Sequence, residues 1–243
     1  MDNVKMSNAF KITLIWLPVV LCLSCQNKEI PGLVAEYSMN GNAMDISGNG
    51  NHGVVHGAFL TMDRFGNENC AYRFDGTASN ILAFVSNMPA VNEAQTISWW
   101  FKADQQPVFS DQLGAGNMIA LVDTTDGIGL QFGYRAPGYH SLGLDGWYWG
   151  GRTILETEPP IVDEWHHCVY TYDGKMHCFY VDGRQTAQSS VQPQTGNPNM
   201  LMFGNYPGGD QYFSGCLDEV CVYHRALSAA EIDLLYNEKE SSL

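Results

Sequence analysis

Basic residues are scarce: 12 Lys and Arg stand against 26 Asp and Glu in 243 residues, a formal net charge of −14. Nucleic-acid binding needs clustered cations to neutralise phosphates, so nucleic acid is excluded as a partner, as is adhesion to anionic lipid by charge. An acidic surface stays compatible with calcium and with neutral sugars. Long apolar runs are also missing. The best, Ile12 to Leu23, is interrupted by Pro18 and is too short for a spanning helix. Several chemistries lack their signatures: there is no Gly-x-Ser-x-Gly elbow, no His-Glu-x-x-His pair for zinc and no phosphate-cradling loop. Neither an internal repeat nor a linker interrupts the chain.

What the first residues do contain is a targeting pattern. Lys5 and Lys11 precede the apolar run, and Leu21-Cys22-Leu23-Ser24-Cys25 closes it with small residues and a cysteine. This resembles a bacterial lipobox, which implies cleavage before Cys25, lipidation of its sulfur and tethering to a membrane, with the outer membrane or cell surface as destination. An ordinary signal peptide with an incidental cysteine is the alternative. The chain then divides into a signal peptide (1–24), a lipidated tether (25–31) and one domain (32–243). Cleavage removes two lysines and Asp2, leaving a net charge of −15.

The domain reads as strands. Leu33 to Met39, Val54 to Ala58, Ala71 to Asp75, Ile81 to Val85, Thr96 to Lys102, Met118 to Val122, Ile128 to Tyr134, Trp165 to Tyr172, Lys175 to Gly183, Met200 to Gly204 and Leu217 to Tyr223 alternate or are rich in β-branched and aromatic residues. Gly, Asn, Asp and Ser separate them. Trp99 and Trp100 must face opposite ways, one into a core, the other a candidate for a second face. Ser228-Ala229-Ala230-Glu231 is a capping box that starts a short helix to about Asn237, with Ile232, Leu235 and Tyr236 placed to pack down.

Two segments organise the rest. Period two in Leu217 to Tyr223 puts Asp218 on one face with Val220 and Val222, and a carboxylate in an apolar layer needs a partner. The candidate partner is Asp45-Ile46-Ser47-Gly48-Asn49-Gly50-Asn51-His52-Gly53, rich in oxygen donors and left-handed-capable glycines. Together with Tyr172-Asp173-Gly174, Tyr180-Val181-Asp182-Gly183 and the Arg225-Ala226-Leu227-Ser228 helix start, these segments resemble the laminin-G-like jelly rolls of the concanavalin A-like lectin/glucanase superfamily from about Gly32 to Tyr236. The resemblance implies an all-β, two-sheet antiparallel jelly-roll sandwich with a short C-terminal helix. The glucanases there carry a Glu-x-Asp-x-x-Glu strand that supplies nucleophile and acid; no such triplet occurs here. The nearest acidic groupings are Glu156 with Glu158 and Asp163 with Glu164. His166 and His167 read as structural.

Three site expectations follow. One calcium ion is expected between the loop and the last strand, held by Asp45, Asn49, Asn51 and Asp218, against the alternative of a plain Asx-rich turn. If Tyr172-Asp173-Gly174 is a three-residue hairpin loop, Thr171 faces Lys175 and Cys168 faces Cys178, the expected disulfide; Cys216 and Cys221 have opposite parity, leaving Cys70 to pair with one of them. Finally, the Gly-rich insertion from Arg135 to Pro160 carries aromatics that either cover the sandwich or stack on sugar rings. Tyr139, Trp147 and Trp149, with Tyr206 and Tyr212, are the carbohydrate contacts expected on the concave sheet and its rim. The functional expectation is a tethered, non-catalytic carbohydrate-binding or adhesion lipoprotein. A glycoside hydrolase or polysaccharide lyase, and a protein-binding structural subunit, are the alternatives.

Overall fold

The computed structural model describes residues 30–104, 115–125, 127, 129–135, 143–148, 152–157, 161–193, 195–209 and 211–237. The first eight strands are β1 (Leu33–Tyr37), β2 (Gly53–His56), β3 (Phe59–Thr61), β4 (Ala71–Asp75), β5 (Asn80–Phe84), β6 (Gln95–Ala103), β7 (Ala115–Val122) and β8 (Gly129–Arg135). Then come β9 (Gly143–Tyr148), β10 (Arg152–Thr157), β11 (His166–Tyr172), β12 (His177–Val181), β13 (Arg184–Ser189), β14 (Met200–Phe203), β15 (Ser214–Tyr223) and the helix α1 (Ala229–Tyr236). They form two antiparallel sheets. One, of eight strands, runs β13-β12-β11-β6-β15-β4-β3 with β1 also paired to β15; the other, of seven, runs β10-β9-β8-β7-β14-β5-β2. The expected jelly-roll sandwich is what the chain forms. No helix among the described residues is long and apolar enough to cross a membrane.

The alternation read from the sequence builds the core between the sheets. Trp99 of β6 sits at its centre, with ring centroids 5.2 Å from Phe132 and 6.0 Å from Phe179, while Phe132 lies 4.9 Å from Tyr170. Edge and tilted contacts of this kind bury large apolar area in the geometry that aromatic quadrupoles favour. Trp100 faces the other way, onto the outer face of the eight-stranded sheet. There it is covered by the helix rather than open to a ligand: Tyr236 stacks on it at 5.8 Å and 16°. The capping box holds that helix in place, Ser228 Oγ accepting from Glu231 N and Glu231 Oε2 accepting from Ser228 N at 2.8 Å. Ile232 and Leu235 bury against Val169, Cys221, Tyr223 and Leu227.

Two registers differ from the sequence reading. In β15 the pairing with β6 shifts between Asp218 and Cys221, and Glu219 takes a left-handed φ of 44°. This bulge inserts a residue and reverses the parity. Leu217, Val220 and Val222 therefore share the core, whereas Asp218 turns out to the other face, and Cys216 and Cys221 lie on that face together. The β11–β12 hairpin closes at Tyr172↔His177, not at Thr171↔Lys175, because Asp173 Oδ1 accepts from both Lys175 N and Met176 N and lengthens the turn to four residues. Cys168 then pairs with Val181 and Cys178 with Thr171. The two cysteines point to opposite faces, and the expected disulfide is not formed; no disulfide joins any of the described cysteines, Cys70, Cys168, Cys178, Cys216 and Cys221.

Candidate functional site

The fold leaves its two outer faces in different states. On the eight-stranded sheet, Arg64 is sandwiched between the rings of Phe65 and Trp100 at 4.3 and 4.4 Å and donates to Asp218 Oδ2 at 3.3 Å. Its other terminal nitrogen lies 2.8 Å from Glu219 Oε2. Burial pushes the Asp218 carboxyl up to about 8; the neighbouring Glu219 carboxylate adds to the rise and Arg64 opposes it. Beside them His167 Nε2 meets Ser98 Oγ at 2.8 Å, and burial first, then Arg64, pulls His167 down to about 3. Ser98 and His167 are 2 % and 1 % exposed, so this Ser-His contact is sealed structure. His166 Nδ1 meets Asp182 Oδ2 at 2.8 Å. Both histidines are buried and hydrogen-bonded within the sheet.

The residues expected to hold calcium are not brought to one point. Asp45 accepts from Glu36 N, Ser47 N and Asn51 N at 3.0, 2.9 and 2.9 Å. Burial raises its pKa, but the hydrogen bonds from Ser47, Glu36 and Asn51 outweigh that and hold it below the usual value. Asn49 and Asn51 each donate Nδ2 to Val34 O at 3.0 Å. Glu36 spends both its N–H and, to Ile46 N, its C=O on this loop, so β1 stands between the loop and β15. Asp218 is held instead by Arg64. Among the described residues no group of three or more His, Cys, Asp and Glu is poised around a metal.

The outer face of the seven-stranded sheet carries a different set of groups. Period two in β8 buries Leu130, Phe132 and Tyr134 in the core and leaves Gln131 outside. Cross-strand pairs Val54↔Leu82, Leu82↔Met202, Met202↔Ala120 and Ala120↔Gln131 set these residues in one row across five strands. Trp147 of β9 continues the register as the partner of Gln131, and Thr153 of β10 as the partner of Trp147. Ala120, Val122, Met200 and Met202 form an apolar strip with Leu82 and Tyr206 packed on it, and Phe84 at its end is 68 % exposed. Along one border of the strip lie Asn80, Asn117 and Asn205. Gln131, Asn117 and Asn205 are 3 %, 0 % and 2 % exposed, yet the side-chain oxygens of these three and of Asn80 have no hydrogen-bond partner. Their nitrogens are engaged where the loop after β14 folds back: Asn117 Nδ2 donates to Gln211 Oε1 and Asn205 Nδ2 to Gly209 O, each at 3.1 Å. Two clefts, of about 620 Å³ beside Val34, Asn49 and His224 and about 560 Å³ beside Asp182 and Tyr236, lie away from this face.

Of the expected carbohydrate contacts, Tyr206 lies on the strip and Tyr212 bridges Asn117 at its border. Trp147 is placed by register only; Tyr139 and Trp149 lie outside the described residues, as does Cys25. The amides were missed. Their signal was available, since Gln131 stands between Leu130 and Phe132 and Asn117 between Gly116 and Met118, polar side chains in otherwise apolar strands.

Among known proteins, domain 4 of AbnA, a GH43 extracellular arabinanase from Geobacillus stearothermophilus solved with arabinotriose, superposes with a TM-score of 0.60 at 19 % identity, covering 85 % of this chain and 98 % of that one. The binding domain of Paraclostridial Mosquitocidal Protein 1 gives 0.67 at 18 % identity, covering 85 % of this chain and 52 % of that one. Trypanosoma rangeli sialidase in complex with the inhibitor DANA gives 0.64 at 16 %, covering 86 % and 33 % respectively. This chain thus spans about half of the toxin domain and a third of the sialidase. At these identities the likeness is one of fold, and the fold is shared by binding domains and hydrolases. No curated protein matches the sequence. The Laminin_G_3 family profile matches residues 75–233, and the chain therefore belongs to the concanavalin A-like lectin/glucanases superfamily.

Proposed function

We propose that this protein is a membrane-tethered, non-catalytic glycan-binding lipoprotein, anchored through Cys25 and exposed at a bacterial surface. The observation that carries the reading is the outer face of the seven-stranded sheet, where no described helix lies and where an apolar strip with Tyr206 runs beside amide groups. A sugar ring presents an apolar C–H face together with hydroxyls, and the accessible groups of this face, exposed Phe84 and half-buried Leu82 and Tyr206, offer it apolar contact without a charged site. The register that sets Trp147 across from Gln131 supports adding that tryptophan, with Trp149, Tyr139 and Tyr212, at the rim. Binding at one such surface is weak, and an acyl-anchored array compensates by avidity.

A glycan array probed with the soluble form starting after Cys25 tests the reading, with the Trp147→Ala, Trp149→Ala double variant beside it. Lost binding at an unchanged melting temperature supports it; a large fall in stability assigns the tryptophans to structure. Replacing Cys25 with Ser releases the protein from membranes if the anchor is right. Calcium enters this proposal in reduced form: Asp45, Asn49 and Asn51 share a loop and can offer oxygens to an ion, whereas Asp218 would have to leave Arg64 to join them. Melting curves in calcium and in EDTA decide it.

One observation favours a second reading, glycan hydrolysis. The β9–β10 register makes Asp145 the cross-strand partner of Glu156, two acidic residues on neighbouring strands. Turnover of a polysaccharide that Glu156→Gln abolishes would move the protein into the enzyme class.

A further inference from the structure

The place where the chain enters the domain is fixed by several contacts. Ile30 and Leu33 pack against the cluster that contains Val169 of β11 and Ile232 and Leu235 of α1, in the layer between the eight-stranded sheet and the helix. Pro31 O accepts from Arg225 Nε at 2.7 Å. Gly32 O accepts from His224 N at 2.9 Å and lies 2.7 Å from His224 Nδ1. Arg225 is held in turn by both carboxylate oxygens of Glu231, at 3.1 and 2.7 Å. The entry is thus tied to the first turn of α1.

Only Gln26 to Glu29 separate Ile30 from Cys25. Five residue steps reach at most about 18 Å when drawn out straight. With its acyl chains in the bilayer, Cys25 lies at the membrane surface, so Ile30 has to stay within that distance of it. The domain is larger than this reach. Gly32 and His224 adjoin the last residue of β15, a strand of ten residues, whose first residue, Ser214, pairs with Asp75 beside the turn through Gly76 and Thr77. Roughly 30 Å of strand separates the two ends. Across the sandwich, the seven-stranded sheet lies about 10 Å beyond the eight-stranded one, on the side away from α1.

We propose that the exposed side of α1 and the adjoining chain entry form the membrane-apposed surface of the anchored protein, set against phospholipid headgroups, with the Thr77 end and the outer face of the seven-stranded sheet turned to the medium. The inference rests on the anchored reading of Cys25 and adds the face that meets the bilayer. The tether alone excludes the Thr77 end, which is farther from the entry than the tether can span. Laying the outer face of the seven-stranded sheet on the bilayer requires a tether drawn nearly straight across the thickness of the sandwich, at a cost in chain entropy that the α1 side does not incur. Charge permits the arrangement. In this acidic chain Glu231 is paired with Arg225, and Asp233 is the one other carboxylate of α1. Leu234, 49 % exposed, is the large apolar residue the helix presents. One such residue is too little to insert α1 into the acyl layer, so the short tether, and not adhesion, sets the orientation.

Photo-cross-linking of the lipidated protein tests the inference. Benzoylphenylalanine is placed singly at Leu234, Thr77 and Val54, all exposed, and the protein is reconstituted in phosphatidylethanolamine and phosphatidylglycerol vesicles that carry a tagged phospholipid. The expected result is a lipid adduct from Leu234 at least tenfold above that from Thr77 or from Val54, which lies on the outer face of β2. A spacer of twenty Gly and Ser residues between Asn27 and Lys28 raises the reach to at most about 90 Å and is expected to bring the three yields within about threefold. Yields from Thr77 or Val54 equal to or above that from Leu234 overturn the inference and leave the anchor standing. So does a preference for Leu234 that the spacer leaves unchanged, since adhesion would then set the orientation. A Cys25→Ser protein that stays in the membrane fraction overturns the anchored reading itself.

Discussion

The two outer faces of this sandwich are built from similar strands and completed differently. On the eight-stranded sheet a helix and the segment around Arg64 lie across the strands. Trp100 is stacked under Tyr236, Arg64 is held between two rings, and the carboxylate displaced by the β15 bulge meets a guanidinium. On the seven-stranded sheet the polar groups without partners are amide oxygens beside an apolar strip. The first face is covered by its own chain, although Trp100 Nε1 and His167 Nδ1 are buried there without partners, and its substitutions should register as stability. The second is where a ligand would supply what the chain does not, and its substitutions should register as binding.

The largest expected effect is on the finished face. Arg64→Ala leaves Asp218 and Glu219 without their cation, strips a guanidinium from two rings and opens a gap beside Trp100. Loss of one partner from a buried pair costs about 3–5 kcal/mol, and urea unfolding should show a loss of about 3 kcal/mol with glycan binding intact. Tyr236→Ala comes next. It removes the ring stacked on Trp100 and close to His167, and because Tyr236 is only partly buried the expected loss is about 1–2 kcal/mol. If either variant abolished binding while leaving stability unchanged, the two faces would have exchanged roles.

A pH series sharpens the same contrast. Asp218 has its folded pKa raised to about 8 from 3.8, so between those values the folded protein holds a proton that the unfolded chain has released. Stability contributed by this group is therefore full below about pH 4 and falls as the pH rises through 8. Between pH 5.5 and 8 the wild type should lose several degrees of melting temperature that Asp218→Asn does not lose. A wild type and variant with parallel profiles would show that Arg64 keeps Asp218 ionised throughout.

Much of this was legible beforehand, and the exceptions have common causes. Alternation and turn residues specify strands because each strand has one face in the core, and the Ser228–Glu231 capping box declares its helix through local hydrogen bonds alone. Parity failed where the backbone gained one residue. The bulge at Glu219 moved Asp218 from the core face to the outer face, and the four-residue turn at Asp173 rotated Cys178 away from Cys168. Both are single-residue changes in count, and a strand's period of two converts each into a reversal of every side chain beyond it. The buried amides were hidden for another reason. Asn and Gln are common in loops, and only the sheet order, which brings β5, β14, β7 and β8 side by side, reveals that three asparagines border the apolar row that Gln131 ends.

The smallest expected effect is the most discriminating. Gln131 is 3 % exposed with its side-chain oxygen unpartnered, so Gln131→Leu removes a dry acceptor and substitutes an apolar group of similar size beside Ala120. Deleting an unsatisfied polar group without opening a cavity is neutral or favourable, and the variant should melt at the wild-type temperature or up to about 1 kcal/mol more stably. On the other outer face a change of the same kind, Arg64→Met, should still destabilise, because it leaves the Glu219 carboxylate without its cation and takes the guanidinium from between Phe65 and Trp100. Opposite signs for these two buried polar-to-apolar replacements would mark Gln131 as a residue retained at the expense of stability, which is the expectation for a group that waits for a ligand. A loss above about 1 kcal/mol in Gln131→Leu would instead show that its oxygen is already satisfied, by water or by the neighbouring β9 segment, and would return the second face to the same category as the first.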